Sequence, residues 1–346
     1  MEYNIDGKIY KMPSKLTDFQ QQIYKHLIDW KHTHITTEPG EYKGNTYDLM
    51  FPNSYCQKEK ISPIIYNKLH NEIKEIQKGE FAYKVHLMSF HMASSQCACI
   101  NLFLPILLDS NADKIISKIK GSPNDFAKID RTRLYNGFCF EYWGQDITNG
   151  KGLLNDHSNV AGTDADIAIA YINTKGEKCL WLIEHKLTET DFTNCGGYKS
   201  KNNNNKKLCK NNCLEKLIDN PQLCHYHKIG YKYWSILQSK KNLFKPLQNQ
   251  KGCPFQDGTN QLFRNQVLAF ALENTNLYKH VYFSVVHHEG NTALEKTMNK
   301  YRELISNDIK FTSFTNYDVI KAAQNNSNAL TDWINWYKEL YNVQQN

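Results

Sequence analysis

Three side chains near the middle of the chain have the types and spacing for phosphate chemistry. The segment from Gly162 to Glu189 reads GTDADIAIAYINTKGEKCLWLIEHKLTE. Asp166 to Ile172 alternates in side-chain bulk, and Lys178 to Glu184 is apolar up to a charged end. The two read as the strands of a β-hairpin. Between them, Thr174-Lys175-Gly176 has Gly in third place, where a three-residue hairpin loop takes a left-handed residue. Asn173 then pairs with Glu177, and counting outward sets Asp166 directly opposite Glu184. Opposed residues share a face, with Cβ atoms about 5 Å apart. Lys186 points to that face as well, and His185 points away. Carboxylates this close repel one another unless a cation lies between them. Hard Mg²⁺ or Mn²⁺ takes one or two carboxylates and fills its shell with water and phosphate. A neighbouring lysine orients an attacking water and stabilises charge growing on phosphate. Asp164 is the rival to Asp166, and Glu189 is placed to act from further out. Glu-x-Lys alone is common in a lysine-rich chain, so the register carries the argument.

Such a site needs flanking elements to hold it. Ser94 or Ser95 can cap a buried helix running to about Leu108, on which Gln96 and Asn101 are polar among apolar residues. Tyr135 to Trp143 reads as a strand, with Phe138, Phe140 and Tyr142 on one face and Cys139 and Glu141 on the other. Paired with the Asp166 strand, it would bring Glu141 to the site as an additional acid. Gln145 to Gly162 is a polar loop; its His157 has no second metal ligand at helical spacing. Asn260 to Leu272 is a strongly apolar helix in which Arg264 must pair with an acid or reach a phosphate. Val281 to Val286 is a buried strand, His287-His288-Glu289 a polar loop, and Ile309 to Phe314 a short strand. Asn316 or Asp318 caps a helix, and Thr331 to Tyr341 forms the last one. Near the start, Ser14 to Thr33 is a helix, and Ser62-Pro63 opens another that Gly79 closes.

Asp166 at the start of one strand, followed by Glu184-His185-Lys186 at the end of the next, resembles the PD-(D/E)XK nuclease superfamily. Ser94-Ser95-Gln96 with Asn101-Leu102-Phe103, and Gln261-Leu262-Phe263-Arg264-Asn265-Gln266, resemble the helices on either side of the catalytic hairpin in a bacterial family of restriction-endonuclease-like proteins within it. The resemblance covers roughly residues 89 to 288. It implies an α/β fold with a restriction-endonuclease-like αβββαβ core and a mixed sheet. It also implies that Asp166 and Glu184 hold the metal, with the His185 backbone carbonyl as third ligand. Lys186 then positions the water, and Gln96 is lent from the first helix. His185 itself departs from the bulky aromatic expected between Glu and Lys. The implied activity is Mg²⁺-dependent DNA cleavage, in restriction or anti-phage defence. The alternatives are a catalytically inactive DNA-binding protein of the same fold, and a nuclease acting on RNA or branched DNA.

Composition supports a globular protein with a nucleic-acid partner. In 346 residues, 40% are hydrophobic and 12% aromatic, enough for a sizeable core. No apolar run is long enough to span a membrane, and the N-terminus lacks the apolar stretch of a signal peptide, so a cytoplasmic location is expected. The net charge is +7, but Cys195 to Lys251 holds 12 Lys against 2 acidic residues. That segment is +10 and the rest of the chain −3. Lys199, Lys201, Lys206, Lys207 and Lys210, with Arg264, are the candidate contacts to a nucleic-acid backbone. The same segment carries Cys195, Cys209, Cys213 and Cys224, with Cys253 as a substitute ligand. Three states are open to these thiols: a structural Zn²⁺ site, an Fe–S cluster, or free cysteines. The plan is then a support unit of helical and mixed structure (1–88), the first half of the core (89–189), the Cys/Lys-rich insertion (190–258), the second half of the core (259–315) and C-terminal helices (316–346). A homodimer and partner proteins of a defence system are compatible with this plan.

Overall fold

The Thr174–Gly176 loop closes the hairpin in the register that its length requires. The structure, a computed structural model, describes all residues except 57–60, 148–149, 159–161, 205, 240–241, 248–249, 307–309 and 346. Ile309 of the expected short strand thus lies outside the described residues. In chain order the strands are β1 (Glu2–Ile5), β2 (Lys8–Lys11), β3 (Gly40–Tyr42), β4 (Asn45–Tyr47), β5 (Phe126–Ile129), β6 (Phe138–Tyr142), β7 (Ala165–Asn173), β8 (Lys178–Lys186), β9 (His280–His287) and β10 (Phe311–Thr315). Gly176 takes φ +79°, and the Asn173 amide donates to the Glu177 carbonyl at 3.0 Å. Ile172 faces Lys178 and Ile167 faces Ile183, so Asp166 and Glu184 are the next opposed pair.

Around this hairpin lies one mixed sheet in the order β10-β9-β8-β7-β5, with β6 also paired to β7. β5, β6 and β8 run antiparallel to their β7 neighbour, while β9 and β10 continue in parallel from β8. Alternation divides the hairpin between two cores. Ile167, Ile169, Tyr171, Trp181 and Ile183 join the cluster that contains the Ser95–Leu108 helix and the Asn316–Asn326 and Thr331–Tyr341 helices. Ala168, Ala170, Leu180 and Leu182 join the cluster built on the Thr259–Glu273 helix. Small alanines on that face let the helix approach, and both strands are buried on both sides because helices cover each face of the sheet.

Several local expectations meet a competing partner. The helix expected from Ser62 starts only at His70, after a 3₁₀ turn over Asn67–Leu69. The Tyr66 amide, which a continuing helix would need, donates instead to Asn101 Oδ1 at 2.9 Å. Asn101 is a satisfied buried amide: its Nδ2 donates to the Ile64 carbonyl and the Tyr341 hydroxyl at 2.8 and 3.0 Å. It ties residues of the first and last segments to one helix. The helix after β10 is capped by Thr315, which forms a capping box with Asp318. The Cys/Lys-rich insertion carries apolar anchors of its own: Leu214, Leu217, Tyr233, Trp234 and Leu237 are buried against Phe263 and its neighbours in the second cluster. No described helix is long and apolar enough to cross a membrane.

Candidate active site

The two hairpin strands and β6 bring three carboxylates abreast at the end of the sheet remote from the loop. β6 pairs Phe140 with Ile167 and Tyr142 with Ala165, so Glu141 falls opposite Asp166 on one side as Glu184 does on the other. Glu141 adopts φ +51°, a left-handed conformation that costs a non-glycine residue roughly 1–2 kcal/mol. It also breaks the alternation. Tyr142, expected on the face of Phe138 and Phe140, packs instead with Cys139 in the second cluster. The Glu141 side chain turns toward the first helix, where Gln96 Nε2 donates to its Oε1 at 2.7 Å and His86 Nε2 lies 3.3 Å from its Oε2.

Gln96 is saturated. Its second Nε2 hydrogen goes to the Lys84 carbonyl at 2.9 Å, and its Oε1 accepts from the His86 amide at 3.0 Å and the Ser89 hydroxyl at 2.7 Å. All four bonds an amide can make are thus used. Gln96 fastens the 84–89 turn to Glu141.

Glu184 is nearly buried and held on three sides. Lys186 Nζ is 2.9 Å from its Oε1, Gln261 Nε2 donates to the same oxygen at 2.6 Å, and Asn265 Nδ2 donates to Oε2 at 2.8 Å. Gln261 and Asn265 stand one turn apart on the Thr259–Glu273 helix, so they meet one carboxylate together. These two were missed as site residues in the sequence. The available signal was a pair of amides at i and i+4 on an otherwise apolar helix. Asp166 accepts from the His185 amide at 2.6 Å. Because the Lys186 carbonyl accepts from the His288 amide beyond β9, alternation turns the His185 carbonyl the other way, toward β7 and Asp166. The His185 ring lies on the opposite face, fully buried, and burial pushes its pKa down to about 3.

The electrostatics are those of an acidic site short of positive charge. Burial, then Glu184 and Glu141, raise Asp166 well above the ordinary carboxyl value. Burial and the same two glutamates push Asp164 up to about 7 against the pull of His86 and Arg264. Burial works against the Lys186 ammonium, but Glu184, Glu189 and Asp166 outweigh it, and its pKa is raised. In the metal-free site Lys186 thus keeps its proton and pairs with Glu184. Burial raises Glu189, yet Lys186, 3.9 Å away, and backbone amides including that of Leu187 bring it below its usual value. Asp164 and Asp166 remain partly open to solvent. The chemistry of the donor set fits a hard divalent cation: carboxylate oxygens that repel one another, with room for water to complete the shell. Among the described residues no group of three or more His, Cys, Asp or Glu forms a ready-made cage.

The remaining expected residues lie elsewhere. Arg264 is held behind the site, its Nη1 donating to the Gly162 carbonyl at 3.0 Å and to Thr163 Oγ1 at 3.2 Å. Thr163 and Tyr233 both donate to Asp156, at 2.5 and 2.6 Å, and this network fixes the entry to β7. Lys199, Lys201, Lys206, Lys207 and Lys210 are all exposed on the insertion. Of the thiols, Cys195, Cys209 and Cys224 lie in one neighbourhood with Cys253, whose amide donates to the Cys209 carbonyl at 2.8 Å. Burial chiefly, then Cys224 and Cys209, raise Cys195 to about 11. Cys213 instead precedes the Leu214–Asp219 helix. His157 is stacked on Trp143, with ring centroids 4.0 Å apart.

A mixed α/β sheet that ends in opposed carboxylates and a paired lysine is compatible with a restriction-endonuclease-like protein. Residues 24–342 match the family described as Restriction Endonuclease associating with ARP, and the chain belongs to that family. No curated protein and no solved structure matches it.

Proposed function

We propose that the protein is a PD-(D/E)XK-type endonuclease that hydrolyses phosphodiester bonds of DNA with Mg²⁺ or Mn²⁺, in restriction or anti-phage defence. The observation that carries this reading is the opposed pair Asp166 and Glu184 with Lys186 bonded to Glu184 on one face. Asp166 and Glu184 would hold the metal, with the His185 carbonyl beside them and Glu141 as a further acid. The bound ion would supply a water of lowered pKa and neutralise the scissile phosphate. Lys186 orients that water and stabilises charge on the phosphate oxygens. Gln261 and Asn265 keep the Glu184 carboxylate in place, and Gln96 positions Glu141. The lysines of the insertion grip the backbone, which makes binding strongly salt-dependent.

The test is plasmid cleavage in Mg²⁺ against EDTA, with Asp166→Ala and Lys186→Ala beside the wild type. Metal-dependent nicking or linearisation lost in both variants is expected. Cutting that survives both substitutions refutes the site. Tight DNA binding without cutting under any divalent metal points to an inactive DNA-binding protein, and cutting confined to RNA or branched DNA reassigns the substrate.

A further inference from the structure

Two apolar side chains stand in water at the rim of this site for no reason of packing. Leu87 is 75% exposed and Met88 39%. They project from the 3₁₀ turn Leu87–Phe90, the turn that Gln96 fastens to Glu141. The fixed turn thus holds an apolar tip in place at the rim of the site. The turn borders a cleft of about 570 Å³ whose wall includes Glu141 and Asp164. Trp143 and His157 also line that cleft, as a stacked pair only 13° from parallel. The pair is seated tightly. A Cβ added to Gly162 would come within 2.5 Å of the His157 ring, and one added to Gly152 within 3.3 Å of Trp143. Burial lowers the His157 pKa, which favours its neutral ring.

We propose that Leu87 and Met88 form a wedge that enters the base stack of a nucleic-acid duplex beside the scissile phosphate, while the Trp143–His157 pair receives the base that the wedge displaces. This rests on the nuclease reading of the carboxylate site. Continuity of the cleft with that site identifies the occupant: a strand whose phosphate reaches Glu141 and Asp164 must lay its neighbouring bases along the same wall. Apolar residues inserted at a base step unstack it and kink the duplex. Displaced bases stack on aromatic side chains with little regard to sequence.

The experiment uses the full chain with Ca²⁺ in place of Mg²⁺ and 30-base-pair DNA duplexes carrying 2-aminopurine, whose fluorescence rises when the base unstacks. A several-fold rise is expected with wild-type protein. The double substitution Leu87→Ala/Met88→Ala should remove more than half of that rise and weaken duplex binding about tenfold. Binding of a duplex with a preformed mismatch bubble should fall less than twofold, because its bases are already unstacked. Both side chains are exposed, so thermal unfolding should not change, and Leu87→Gln provides a second, polar variant. If both variants bind and unstack the duplex like wild type, the wedge is refuted while the nuclease reading stands. If the wild-type protein neither binds nor cuts DNA, both fall.

Discussion

Replacing Asp166 with Asn should stabilise the metal-free protein while destroying its response to metal. Glu184 and Glu141 stand on either side of Asp166 across the sheet. Charges about 5 Å apart at an effective dielectric of about 20 repel by about 3 kcal/mol per pair. Lys186 and the two amides on Glu184 offset part of this, which leaves a net gain of about 1–3 kcal/mol for removing the central charge. Asp166→Asn keeps the shape, and the new amide oxygen can still accept from the His185 amide. The assay is thermal unfolding at pH 8 in EDTA and through a Mg²⁺ titration. In EDTA the variant should melt a few degrees above wild type. With Mg²⁺ at about 100 times its dissociation constant, wild type should gain about 2.7 kcal/mol and the variant almost nothing. A variant that melts below wild type in EDTA, or that Mg²⁺ stabilises equally, refutes the idea that these carboxylates repel and wait for a cation.

Three further outcomes follow from contacts at the site and away from it. Asn265→Ala and Gln261→Ala each remove a donor to Glu184 and should lower metal affinity or cleavage rate about 10–100-fold, read from Mg²⁺ titrations of the cleavage rate. Acid should destabilise the fold through His91, whose Nδ1 accepts from the Ala93 amide at 3.0 Å and whose pKa burial lowers to about 4. A group depressed from about 6.5 to about 4 contributes fully above pH 6.5 and loses up to about 3 kcal/mol as pH falls to 4; unfolding of His91→Gln should show a shallower slope over that window. In the insertion, metal analysis of purified protein decides among the three thiol states: about one zinc per chain, lost in Cys253→Ser and kept in Cys213→Ser, makes Cys195, Cys209, Cys224 and Cys253 a structural site, iron makes them a cluster, and no metal leaves them free thiols.

The parts of the fold that were legible in the sequence are those set by local chemistry. A three-residue loop with Gly176 dictates the register, and the register alone opposes Asp166 to Glu184. The Ser94 cap and the apolar run to Leu108 give a helix to within a residue. What resisted reading depends on partners distant in sequence. Nothing near Ser62 announces that Asn101 will take the Tyr66 amide, and nothing near Glu141 announces a left-handed backbone. Gln261 and Asn265 could be seen as polar residues on an apolar helix, but only the fold supplies the carboxylate they serve. The short edge strand β5 went unread because its pairing to β7 includes an irregular register and buries only its two ends.

The position of the site at the open end of the hairpin also governs the order of assembly. The Thr174–Gly176 turn closes a short loop, so β7 and β8 can zip outward from it within microseconds. Asp166 and Glu184 are then the last of these pairs to meet. β8 finds its parallel neighbour β9 only after the whole insertion has been threaded between them, a non-local closure that sets the slow step. Repulsion between these two carboxylates thus falls before the barrier to folding. It should slow folding of the metal-free chain and leave the unfolding rate nearly untouched.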